Sequence, residues 1–274
     1  MGNKVLIIAG MHRSGTSLIT QWVNKCGLSV GDELMGEGVG NQEGHFEDMD
    51  FVRLHENLLQ QNGQEPSGLL VERMPAISGE QRQQVAAMVA GKNEDGHTWG
   101  WKDPRTCLFL PAYREVLPQA YSLVIIRDYK AVVSSLLTRM HKETALSYAG
   151  RGWWPRLLWK LGENKSRRKL ICRKYATVFL KACTVYNEAL LQHIDHLPPS
   201  RYLVVDYALL GKNDNVVFTH LQNEWQFPLH YRPFSDVFKD NLMTKQIDFA
   251  TYIKDKTLLV RAEEAERKLR AAIR

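Results

Sequence analysis

An apolar run, Lys4-Val5-Leu6-Ile7-Ile8-Ala9, stops at Gly10-Met11-His12-Arg13-Ser14-Gly15-Thr16-Ser17. A helical pattern follows to about Cys26, with Leu18, Ile19, Trp22 and Val23 on one side. An unbroken apolar run suits a strand buried on both faces, as parallel sheets demand. Small residues in the turn let backbone N–H groups approach an anion, and the start of the helix adds a favourable dipole. Strand, Gly-bounded turn and helix in this order narrow the chain to folds in which a parallel strand feeds a helix beside an anion cradle.

The remaining pattern agrees. Residues 27–47 are rich in Gly and acid and read as a loop. Asp48 to about Gln60 predicts a helix with Phe51, Leu54, Leu58 and Leu59 inward, and a further helix is expected around 78–90. His97-Thr98-Trp99-Gly100-Trp101-Lys102 predicts a strand halted by Asp103-Pro104. Leu123-Val124-Ile125-Ile126 predicts another, running into Arg127-Asp128 and a helix from about Lys130 to Met140. Tyr202–Asp206 is one more strand, and about Asp255 to Arg274 a charged amphipathic helix. Alternating strands and helices predict the α/β class, a three-layer fold with a mostly parallel central sheet flanked by helices. The 274 residues, 44% hydrophobic and 24% charged, fit a single domain over 1–274 with ample material for a core. Residues 141–175, basic and carrying Trp153, Trp154, Trp159 and Arg167-Arg168-Lys169, read as an insertion or lid. A net charge of +6 fits an anionic ligand or surface. Cys26, Cys107, Cys172 and Cys183 lack metal-like spacing and suit a reducing compartment. With no apolar run near the ~18 residues needed to span a bilayer and no secretory or myristoylation pattern at the start, a cytoplasmic location is expected.

The spacing from Gly10 to Gly15 is that of the phosphate loop G-x-x-x-x-G-K-[ST], but Thr16 stands at the Lys position. That Lys serves the β/γ-phosphates in nucleoside triphosphatases, so ATP or GTP hydrolysis is disfavoured. Arg13 lies inside the loop instead, where its guanidinium can fork onto oxyanion oxygens. This P-loop segment resembles the 5′-phosphosulfate loop of sulfotransferases that use 3′-phosphoadenosine 5′-phosphosulfate (PAPS), matching at Arg13, Ser14, Gly15, Thr16 and Ser17. The resemblance implies a second anion site for the 3′-phosphate, formed by an Arg ending a strand and a Ser eight residues later. Arg127 and Ser135 fit that separation, with Ser134 the neighbouring alternative about 100° round the helix. The stretch from Ile126 to Ser135 resembles that family segment throughout.

Sulfuryl transfer to an alcohol needs a base, cations or N–H donors on the moving group, and an acceptor held in line. It does not require a metal, and none is expected. Gly44-His45-Phe46-Glu47-Asp48 resembles a Gly-aromatic-Trp/Phe-Glu-Asp run of a bacterial sulfotransferase group, and Glu47 is the first choice for the base. His45 is its rival and Glu33 a further candidate; Asp48 is either catalytic or the cap of the next helix. Gly100-Trp101-Lys102-Asp103-Pro104-Arg105 resembles the Lys-Asp-Pro element of tyrosylprotein sulfotransferases and bacterial relatives. By that likeness Lys102 stabilises the transferring group, Asp103 orients Lys102 or Arg13, and Arg105 meets donor phosphate or an acidic acceptor. By the same resemblance Tyr207 is a candidate near the adenine, and Arg232 and Lys239 are candidate substitutes for the Gly-rich motif that cytosolic small-molecule sulfotransferases carry near the C-terminus and that is not apparent here.

The resemblance, specific over about residues 4–140, implies a bacterial PAPS-dependent sulfotransferase with adenosine 3′,5′-bisphosphate (PAP) as product. The acceptor expected is a hydroxyl of a saccharide, glycolipid or small metabolite. The rival readings are a P-loop kinase-like nucleoside-phosphate transferase and a non-catalytic nucleotide-binding module. Nucleic acid is not expected as a partner, since no binding motif accompanies the local basic residues. Trp153, Trp154 and Trp159, beside Arg151, Arg156 and Lys160, read as a peripheral contact with an anionic membrane, an acceptor lid, or a helix packed on the core.

Overall fold

The computed structural model describes residues 3–36, 44–93, 98–150, 164–238 and 246–273. Lys239, His97 and the Trp153, Trp154 and Trp159 segment lie outside the described residues.

Among the described residues four strands form one parallel sheet: β1 (Val5–Ala9), β2 (Trp99–Lys102), β3 (Tyr121–Ile126) and β4 (Tyr202–Asp206), in spatial order β2-β1-β3-β4. Alternation along the strands sorts their side chains into two cores. Val5, Ile7, Trp99, Trp101, Val124, Ile126 and Val204 face one way. Leu6, Ile8, Leu123, Ile125, Leu203 and Val205 face the other. Burial on both faces accounts for the unbroken apolar runs of the sequence.

Among the described residues the α-helices are α1 (Thr16–Lys25), α2 (Met49–Gln61), α3 (Gly79–Asn93), α4 (Thr106–Val116), α5 (Tyr129–Ala149), α6 (Asn164–Asp195), α7 (Tyr207–Thr219) and α8 (Lys256–Ala271). Helix α1 covers one face through Ile19, Trp22 and Val23. Helices α2, α4 and α6 cover the other, where Phe51 stacks on Trp101 with ring centroids 4.5 Å apart. Part of the expected lid is regular helix: α5 runs nine residues past Met140, and α6 begins at Asn164.

Register fixes where the loops emerge. Ile8 pairs with Lys102, Ala9 with Val124 and Ile126 with Asp206. Gly10, Asp103, Arg127 and Tyr207 therefore leave the sheet at one edge, its carboxyl edge. The chain passes from β1 to β2 on one side and then to β3 on the other, so β1 ends at a topological switch point. Ligands of open α/β sheets bind in the crevice at that point.

Candidate functional site

The loop after β1 is closed by Ser14 N–H donating to Met11 O at 3.1 Å. Arg13 and Gly15 have φ of 67° and 98°, in the left-handed region. At Arg13 this costs about 1 kcal/mol of backbone strain. At Gly15 no side chain fits, because a Cβ would sit 2.1 Å from the Tyr207 ring. A Cβ on Gly10 would lie 2.6 Å from Ile125 O. Both glycines are therefore dictated by close approach, and Tyr207 is the wall behind the loop. The first turn of α1 has no acidic side chain to offset its positive end, and its leading N–H groups lack intrahelical partners. Ser14 Oγ is buried beside them without a hydrogen-bond partner among the described residues. A buried orphan hydroxyl next to free N–H groups fits an oxyanion.

Arg13 Nε donates to Ser135 Oγ at 3.0 Å, and Arg127 Nη1 donates to the carbonyl of Arg13 at 2.9 Å. The Arg127 guanidinium lies 5.2 Å from the Tyr207 ring centroid. The loop after β1, the end of β3, the middle of α5 and the start of α7 thus meet at one place. Burial pulls the Arg13 pKa down to about 10, and the charges of Arg139 and Arg127 push the same way. Crowded cations of this kind are relieved by an anion between them. Ser134, the neighbouring alternative, faces elsewhere: its Oγ accepts from Ile247 N–H at 3.0 Å and ties down residues 246–247. Asp128 caps α5 through Ala131 N–H, 2.7 Å away.

On the β2 side, Lys102 Nζ donates to Glu47 Oε1 at 2.7 Å and to His45 O at 2.8 Å. Lys102 is 1% and Glu47 5% exposed, so this is a buried ion pair. Arg105 Nη2 stands 3.6 Å from the second Glu47 oxygen. Gly44 and Phe46 take φ of 93° and 51°, bending the chain so that Glu47 turns inward. Burial lowers the His45 pKa below its ordinary 6.5, outweighing the opposing charge of Glu47, so its imidazole is neutral at pH 7.

Asp48 caps α2 by accepting from Asp50 N–H at 3.0 Å, and its carboxylate meets Lys92 at 2.9 Å. That clamp fixes the turn that presents Glu47. Asp103 does not bond Lys102 as expected. Its Oδ1 takes Arg105 Nε at 2.9 Å and Arg105 N–H at 3.0 Å, while Oδ2 meets His55 Nδ1 at 2.8 Å. His55 Nε2 meets Tyr113 OH at 2.7 Å. Burial alone would raise the Asp103 pKa; Arg105 and His55 overcome it and hold the carboxyl well below the usual range. Arg105 also reaches Glu56 at 2.8 Å, so it belongs to the wall of the site. Glu33 is exposed and pairs with Arg53 at 3.0 Å, and Arg232 is exposed.

Arg139, one turn beyond Ser135 on the same helix face, belongs to no motif that the sequence displays. Nor do His55 and Tyr113, whose link to Asp103 joins residues far apart in the chain.

No family model matches the chain, and no curated protein matches it. Solved structures do. Sulfotransferase STF9 from Mycobacterium avium is 12% identical, with a TM-score of 0.56 over 98% of this chain and 77% of that one. Sulfotransferase STF1 from Mycobacterium tuberculosis H37Rv is 12% identical, with a TM-score of 0.51 over 96% and 77%. By these likenesses the chain has the fold of the sulfotransferases.

Proposed function

We propose that the protein transfers a sulfuryl group from PAPS to a hydroxyl of a saccharide, glycolipid or small metabolite, releasing PAP. The observation that carries this reading is the direct junction of two anion cradles, Arg13 on Ser135 and Arg127 on the Arg13 carbonyl. The loop residues Arg13, Ser14, Gly15, Thr16 and Ser17 hold the 5′-phosphosulfate. Arg127 and Ser135 hold the 3′-phosphate, some two turns along α5. An ATP-type ligand has no use for the second cradle, and Thr16 stands where its Lys is needed.

The chemistry follows from the Glu47–Lys102 pair. Glu47 accepts the proton of the acceptor hydroxyl. The acceptor oxygen forms a bond to sulfur, the bond from sulfur to the 5′-phosphate oxygen breaks, and its electron pair stays on the phosphate. Once protonated, Glu47 attracts Lys102 less, and Lys102 turns to neutralise the phosphate oxygen. His45, neutral at pH 7, lies beside the same pair.

Calorimetry tests the reading. PAP binds without a divalent metal, and Arg13→Ala and Arg127→Ala each weaken it by roughly 10- to 100-fold, the worth of a charge-assisted bond. Glu47→Gln spares PAP binding and lowers transfer of labelled sulfate in an acceptor screen. Binding of ATP·Mg²⁺ with no response to PAP would sink the proposal in favour of a kinase-like transferase.

A further inference from the structure

The charge of this chain is segregated. Residues 142–149 and 164–174 hold seven Lys/Arg and one Glu, net +6, against 29 basic and 29 acidic residues elsewhere. These two stretches are the far end of α5 and the first turns of α6. The two are joined where the Arg167 guanidinium lies 4.3 Å from the Tyr148 ring centroid. Two residues before Tyr148, Leu146 is 58% exposed; three after Arg167, Leu170 is also 58% exposed. Arg168, Lys169, Arg173 and Lys174 are exposed around Leu170. On the other side of α6, Ile171 and Cys172 are buried, so the helix is anchored by one face.

From these features we infer that the α5–α6 hairpin docks the protein on an anionic lipid surface. Basic side chains supply long-range attraction to acidic headgroups, and the leucines supply apolar area for the interface. The leucines decide between lipid and a soluble polyanion, since a nucleic acid or acidic polysaccharide has no use for two bare aliphatic side chains amid cations. Residue 146 lies eleven positions beyond Ser135 on one helix, roughly 16 Å along its axis. A surface met at the hairpin thus lies within a short reach of the site, which favours an acceptor hydroxyl borne on a lipid. The docking itself does not depend on the sulfuryl-transfer reading.

Vesicle co-sedimentation of the full chain tests it. The protein pellets with phosphatidylglycerol-containing vesicles and stays in solution with pure phosphatidylcholine. R168Q/K169Q/R173Q lowers the partition coefficient roughly 100-fold, at about a factor of 5 per cation near the surface. L146S/L170S removes the part of the binding that survives high salt. Unchanged thermal midpoints in both variants show that they fold. Absence of pelleting with anionic vesicles, or pelleting that ignores the charge variant, overturns the inference. So does tight binding of a single-stranded oligonucleotide or heparin without vesicle binding. Failure of PAP to bind leaves the docking result standing and counts only against the proposed reaction.

Discussion

The pairing of Lys102 with Glu47 is where single residues govern the site. Both are buried, and their 2.7 Å contact replaces the water each has lost. Removing one partner of such a pair leaves the other charge uncompensated, at a cost of about 3–5 kcal/mol. Lys102→Met is therefore expected to lower unfolding free energy by about 3 kcal/mol in urea titration, and Glu47→Gln/Lys102→Met together to recover much of it. A Lys102→Met loss below about 1 kcal/mol would mean that the pair behaves like an exposed one. Gly15→Ala is expected to abolish detectable PAP binding, because its Cβ and the Tyr207 ring cannot share the space. What was legible here was local. Arg13 sits inside a loop of fixed spacing, and Ser135 follows Arg127 by eight residues along one strand–helix unit. The bond from Asp103 to His55 was not legible, because it spans 48 positions and exists only once α2 packs on β2.

Among the elements, β3 and α6 are joined by a buried histidine. His193 Nε2 meets Ser122 Oγ at 2.9 Å. Burial, with help from Arg114, lowers the His193 pKa to about 4 from 6.5. The unfolded chain binds this proton at pH values where the folded one does not. Stability is thus intact above pH 6.5 and falls as pH drops toward about 4, by about 3 kcal/mol from this residue. His193→Gln is expected to flatten that part of the stability profile, measured by denaturant titration across the acid range. Helix α6 itself leaves no clear signal in the sequence. Cys172, Phe179, Leu180, Tyr186 and Leu190 lie in the larger core, while Leu170 is exposed. A helix touching α4, α5 and α8 at once has no single apolar stripe to betray it. Helix α4 was hidden by Pro111, which normally marks an end yet lies inside the helix here. Strands were easier, since burial on both faces leaves an unbroken apolar run that needs no knowledge of neighbours.

At the scale of the molecule, the last helix holds together parts of the chain that come before it. Glu266 of α8 accepts from Tyr129 N–H, the first residue of α5, at 2.6 Å. Arg270 joins Glu266 at 2.7 Å and also meets Asp206, which ends β4 and caps α7. Helices α5 and α7 carry Ser135 and Tyr207, so α8 fixes both sides of the proposed donor cradle. Glu266→Ala removes a charged acceptor from a buried N–H and is expected to cost about 2 kcal/mol. The same change is expected to weaken PAP binding several-fold, with Glu266→Gln between Ala and the parent. Arg261 and Glu188 provide the contrast. Arg261 of α8 pairs with Glu188 of α6 at 2.9 Å, 59% and 42% exposed. Arg261→Ala is expected to shift stability by less than about 0.5 kcal/mol and leave PAP binding alone. If Glu266→Ala lowered stability while calorimetry showed unchanged PAP affinity, α8 would be a buttress of the sheet and not of the cradle.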